Sequence, residues 1–107
     1  MTATEFFEGL ASRINPERIS GMCATYQFNL IGDDAGDCRW VVAIDDGIAQ
    51  VWQGDAANPD ITVTTTASDW IDMVSGKLSG QMAFLSGRLK LQGDVSLALK
   101  LQAFLQP

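Results

Sequence analysis

The closing segment constrains the fold most tightly. Between positions 95 and 106 only Ser96, Lys100, Gln102 and Gln106 interrupt a run of apolar residues. Asp94 after Gly93 is a capping pair, and the spacing predicts a helix through Val95, Leu97, Ala98, Leu99, Leu101, Ala103, Phe104 and Leu105. A helix lying on one sheet needs an apolar stripe over about a third of its circumference. This one carries more, and the surplus has three sinks: a domain core, a partner subunit, or a ligand cavity beneath the helix.

The rest of the chain alternates between two periods. Thr2-Ala3-Thr4-Glu5 has capping-box spacing, and Phe6, Phe7, Leu10 and Ile14 recur at helical intervals until Asn15-Pro16 stops them. From Met22 the period becomes two. Met22, Ala24, Tyr26, Phe28 and Leu30 share one side of a half-buried strand. The turn cluster Gly32–Asp37, a strand over Trp40–Ile44, the tight turn Asp46-Gly47 and a third strand through Val51 and Trp52 complete an antiparallel meander. Ile61–Thr66 reads as a fourth strand. Ser68 is then the expected cap of a helix bearing Trp70, Ile71, Met73 and Val74, which Gly76 ends. Gln81–Leu85 forms a second short helical turn closed by Gly87, and Arg88–Leu91 alternates as a fifth short strand.

A length of 107 residues fits one domain over 1–107. Histidine is absent, which removes the usual general base, the imidazole metal ligand and every Ser-His-Asp or Cys-His arrangement. With 7 Lys+Arg against 13 Asp+Glu the net charge is −6, which argues against nucleic acid as a partner. The charge is unevenly placed: residues 1–72 sum to −9, whereas Lys77, Arg88, Lys90 and Lys100 against Asp94 leave 73–107 at +3. Those four cations are either solvated side chains or an attraction for an anionic headgroup or membrane surface. No apolar run spans a bilayer and Met1–Glu8 lacks signal-peptide character, so the expected compartment is the cytoplasm.

Cys23 and Cys38 fall too far apart along the expected hairpin to be bridged, and two free thiols buried as small hydrophobes are expected. The Asp-rich turn lacks the full ligand spacing and closing Glu of a calcium loop, so no metal site is expected there. Asp69 and Asp72 are the only adjacent helical acid pair, and Asp69 is explained by its place in the first helical turn.

The stretch Gly76-Lys77-Leu78-Ser79-Gly80-Gln81-Met82-Ala83-Phe84-Leu85-Ser86-Gly87-Arg88-Leu89-Lys90-Leu91-Gln92-Gly93-Asp94, followed by the apolar helix, resembles the signature of the sterol carrier protein type 2 domain. Pro59-Asp60-Ile61-Thr62-Val63 and Ser68-Asp69-Trp70 match the segment that precedes it. The likeness is strong over 59–105 and looser over 1–58. It implies an α+β fold: a five-stranded, mostly antiparallel sheet with helices packed on one side, enclosing an apolar tunnel that takes sterols, acyl chains or related lipids. It brings no catalytic residue and no cofactor.

Residues and resemblance together give a non-catalytic module, monomeric or weakly dimeric, that binds or carries a fatty acyl chain, acyl-CoA or sterol-like lipid. The expected cavity wall is Trp70, Met73, Met82, Phe84, Leu85, Leu97, Leu101, Phe104 and Leu105. Lys77, Arg88, Lys90 and Lys100 are candidates for an anionic head. Two other readings stay open: an accessory carrier of prenylated quinone intermediates inside a biosynthetic complex, and a protein–protein or dimerisation domain without ligand. Transient contact with a membrane surface is a further expectation.

Overall fold

A computed structural model describes residues 3–14, 16–33 and 36–105, with the side chains of 3, 4, 11, 18, 33, 36–38 and 101–105 excepted. The element order is α1 (Ala3–Glu8), α2 (Leu10–Arg13), a short 3-10 helix (Pro16–Ile19), β1 (Cys23–Asp33), β2 (Gly36–Asp45), β3 (Ile48–Gln53), β4 (Ile61–Thr66), α3 (Ala67–Val74), α4 (Gly80–Leu85), β5 (Lys90–Gly93) and α5 (Ser96–Leu105). The five strands form one sheet in the order β3-β2-β1-β4-β5. Every pairing is antiparallel except β1 with β4. This is the expected sheet with its helices. The tunnel that the resemblance implies is not outlined by the described residues.

Alternation fixes which face is covered. Ala24, Tyr26, Phe28 and Leu30 on β1 lie level with Ile44, Val42 and Trp40 on β2 and with Ile61, Val63 and Thr65 on β4, and all are buried. Phe7 of α1 seats itself in the middle. Its ring stacks at 5.4 Å on Trp40 and 5.8 Å on Trp70, and tilts against Phe28 at 5.1 Å. Such ring pairs add about 0.5–1.5 kcal/mol each beyond the area they bury. The expected single first helix is divided at Gly9, the poorest helix former short of proline, into α1 and α2. Asn15, its expected stop, lies outside the described residues.

The connection from β3 to β4 joins two strands that run in the same direction, so it must cross the sheet. It crosses the outer face and is held there by Gln27. The Ala56 N–H donates to Gln27 Oε1 at 2.6 Å, and Gln27 Nε2 donates to the Gly54 carbonyl at 3.1 Å. Gln27 is therefore buried on the polar side of β1, a role that alternation does not reveal.

Two expected boundaries move and one expected burial is reversed. The cap of α3 is Thr66, whose hydroxyl accepts from the Asp69 N–H at 3.0 Å, not Ser68; β4 runs straight into the helix with no intervening loop. Arg88 and Leu89 do not begin the fifth strand. Both their N–H groups donate to the Ala83 carbonyl, at 2.9 and 3.0 Å, closing α4 around left-handed Gly87, and pairing starts at Lys90 opposite Thr64. Cys23 is an exposed free thiol and not a buried hydrophobe, because it faces outward at the start of β1 opposite Asp45. Cys38 pairs with Leu30, seven positions along β1 from Cys23, and its side chain lies outside the described residues, as do those of most of the acidic turn.

β1, β4 and β5 are joined by a polar knot. Asp60 Oδ2 accepts from the Thr25 N–H at 2.8 Å, the Asp60 N–H donates to the Thr25 carbonyl at 2.9 Å, and the Asp60 carbonyl accepts from the Asp94 N–H at 2.9 Å. Gly93 has φ +108, and a Cβ there would run into the Asp60 carbonyl oxygen. Beyond the knot, Asp94 Oδ1 accepts from the Ser96 N–H at 3.1 Å and from its hydroxyl at 2.6 Å, which starts α5. The Tyr26 hydroxyl donates to the Leu97 carbonyl at 2.8 Å, tying α5 down to the middle of the sheet.

Gly93→Ala combines backbone strain with a backbone clash and should cost about 3 kcal/mol or abolish folding, read by urea denaturation; a loss below about 1 kcal/mol would contradict the close approach. Tyr26 is the only tyrosine, so tyrosinate absorbance reports it alone. Burial, then the Asp94 and Asp60 charges, push its hydroxyl well above the usual tyrosine range. A raised folded pKa means that the residue's contribution is complete below the ordinary value of ~10 and is lost as pH climbs from there towards the folded value. The folded protein should therefore ionise later than its urea-unfolded form, and Tyr26→Phe should remove this alkaline loss of stability. Coincident titrations would contradict the buried tether.

Candidate functional site

The inner face of the sheet is covered unequally. Every one of the largest fully buried side chains, from Phe7 and Leu10 to Ile61 and Val63, precedes residue 64. In 73–100, by contrast, thirteen apolar side chains are described, of which two are buried, six half-buried and five exposed. The buried two are Ala83 and Leu97. The half-buried ones, Met73, Val74, Leu78, Leu89, Leu91 and Ala98, lie on α3, α5, β5 and the segments next to α4 and β5, around the β4–β5 side of the sheet. Leu91 is opposite Val63 and shares its inward face. Here, among the described residues, an apolar lining is present and most of it is short of full burial.

The expected wall residues divide into three groups. Trp70, Met73 and Leu97 meet the core: Trp70 stacks on Phe7 and lies edge-on to Phe6 at 5.8 Å, Leu97 is 7% exposed, and Met73 packs against the core from α3. Met82, Phe84 and Leu85 face outward, at 59%, 49% and 70% exposure. The side chains of Leu101, Phe104 and Leu105 lie outside the described residues, although the backbone of α5 runs through them. Residues that the sequence reading passed over are Ile71, Val74, Leu89, Leu91 and Ala98, all partly buried against the core. Leu91 was recoverable from strand alternation, whereas Leu89 was not, since its place depends on the exit from α4.

Lys77, Arg88, Lys90 and Lys100 are all exposed. They stand on four different elements or connections: Lys77 after α3, Arg88 after α4, Lys90 on β5 beside outward-facing Thr64, and Lys100 on α5. At the start of α5, hydrogen bonds from the Ser96 hydroxyl and then its N–H, with Lys100 adding a smaller attraction, hold the Asp94 carboxyl below the usual carboxylate range. The site's polar chemistry is thus spent on fixing the cover helix. Among the described residues no three His, Cys, Asp or Glu side chains come together as metal ligands. Asp69 is bound into the α3 cap through its N–H, and the Asp72 carbonyl accepts from the Lys77 N–H at 2.8 Å in the turn that ends that helix.

Comparison with known proteins agrees with this geometry. A model of the SCP-2 sterol transfer family matches residues 4–106. The chain is 35% identical over 102 residues to a Xenopus tropicalis protein named hydroxysteroid dehydrogenase-like protein 2, covering 94% of this chain and 24% of that one. It thus spans about a quarter of the length of that relative. Among solved structures, palmitated SCP2L2 from Aedes aegypti superposes with a TM-score of 0.80 at 26% identity, covering 100% of this chain and 96% of that one. A ubiquinone synthesis protein, UbiJ-SCP2, shares the fold with a TM-score of 0.68 at 18% identity, over 96% of this chain and 90% of that one. With half-buried apolar side chains around one side of the sheet, a tethered cover helix and a family match over nearly its whole length, this chain belongs to the SCP-2 sterol transfer family.

Proposed function

We propose that this chain is a non-catalytic carrier that holds the hydrocarbon part of a lipid in an apolar tunnel between the β4–β5 side of the sheet and its cover of α3, α4 and α5. The observation that carries the reading is the mismatch in 73–100, where an apolar segment leaves all but two of its described apolar side chains short of full burial. A guest lying beside buried Leu97 would complete the burial of Met73, Val74 and Leu91. Each methylene removed from water contributes about 0.8 kcal/mol, so about ten supply ~8 kcal/mol before ordering costs. Affinity of this kind is broad, because an apolar wall discriminates a single methylene by only ~10- to 200-fold.

The palmitated state named for the mosquito relative supports a saturated acyl chain as the guest class. A prenyl tail would suit the same lining, and the fold shared with the ubiquinone synthesis protein makes prenylated quinone precursors the second class to test. The dehydrogenase-like name belongs to a protein about four times as long, and no reaction is proposed for this segment.

Protein purified without detergent and sprayed under native conditions should carry co-purifying lipid, and a fluorescent fatty acid should bind and be displaced by palmitate. Leu97→Gln should weaken that binding about tenfold or more, and Met73→Gln, at a half-buried position that tolerates a polar chain better, should act in the same direction. Leu99→Gln, at 71% exposure, should leave it unchanged. A chain that is free of lipid, takes up no probe and forms a tight dimer in sedimentation would instead support the interaction-domain reading.

A further inference from the structure

α4 is a closed short helix with its large side chains outward. The Ser79 hydroxyl accepts from the Met82 N–H at 3.5 Å at the start of the helix, and the Ala83 N–H donates to the Ser79 carbonyl at 2.9 Å. At the other end Arg88 and Leu89 both donate to the Ala83 carbonyl. These bonds close the helix at both ends, and with Ala83 as its one buried side chain Met82, Phe84 and Leu85 stand towards water. Three large apolar side chains within four residues on one short exposed helix are a built surface and not scattered exposure.

Charge says what such a surface fits. The stretch 73–93 contains no acidic residue, and Lys77 and Arg88 flank α4 on either side of it, both exposed. Residues 1–72 carry −9. An anionic plane repels that acidic part and attracts the basic flank, so the molecule meets it with α4 foremost. We infer that α4 is a docking element for an anionic lipid bilayer: Met82, Phe84 and Leu85 enter the headgroup–acyl boundary while Lys77 and Arg88 stay at the phosphate level. This goes beyond carriage of a guest and does not depend on it, since the docking face is the outer side of α4.

The test is flotation of the full chain with two kinds of vesicle, phosphatidylcholine alone and an equimolar mixture of phosphatidylcholine with phosphatidylglycerol. Partition should favour the anionic vesicles and fall with added salt. Each basic side chain near an anionic surface contributes about fivefold, so Lys77→Gln with Arg88→Gln should lower partition about 25-fold. Met82→Ser with Phe84→Ser and Leu85→Ser should lower it at least as far while leaving the circular dichroism unchanged, since none of the three is buried. Ile48→Ser, at 64% exposure on β3, is the control and should bind as the parent chain does. Equal partition into both vesicles, retention by the triple variant, or an equal loss in the Ile48 variant would overturn the docking element. So would self-association that the triple variant abolishes, with no vesicle binding by the parent chain. Uptake of the fluorescent fatty acid in solution separates this outcome from failure of the carrier reading.

Discussion

One apolar sheet face must be covered, and the covers on its two halves are of unequal quality. Over β1, β2 and β3 the rings of Phe6 and Phe7 bring aromatic bulk from a helix of only six residues, and Phe7 fills the space between Trp40, Trp70 and Phe28. Nothing of comparable bulk is supplied by the described residues that follow α3. Among the described residues that follow α3, Leu97 is the one large buried apolar side chain, and the others are small, half-buried or exposed.

Hydrogen bonds hold this second half in place where large buried side chains among the described residues do not. Asp60 ties β4 to β1 and takes the Asp94 N–H, Gly93 lets the β5 backbone close on Asp60, Asp94 starts α5, and Tyr26 reaches from the central strand to the Leu97 carbonyl. A cover secured by directional polar bonds at one end keeps its position whether or not the apolar space beneath it is occupied. That division of labour suits a carrier. The aromatic half holds the fold together, the polar knot sets the geometry of the roof, and in the proposed carrier a guest of variable shape would supply further apolar contacts.

The periodic parts of this fold were legible in the sequence because burial on one face imposes alternation. β1 shows its inward set from Ala24 to Leu30 without error, and Asp46-Gly47 marks the β2–β3 hairpin, with Asp46 at φ 42 and Gly47 at φ 86. What was illegible depended on contacts between distant segments. Gln27 looks like a solvated strand residue until the crossover from β3 arrives at its amide, and Thr66 becomes a cap only because β4 ends where α3 starts. The helical spacing of Met82, Phe84 and Leu85 says that they share a short helix; it does not say which way that helix turns. Burial of Ala83 decides it, and leaves these side chains outside.

The central claim is that hydrocarbon lies against Leu97, Met73 and Leu91 on the inner face of the sheet. It is tested most directly by isotope-filtered nuclear Overhauser spectroscopy on labelled protein with an unlabelled palmitate guest. The account predicts cross-peaks from the acyl methylenes to the methyl groups of Leu97, Met73 and Leu91, and none to Ile48 on the exposed strand β3. Cross-peaks confined to the outer side chains of α4, or none to the inner set at saturating palmitate, would contradict it.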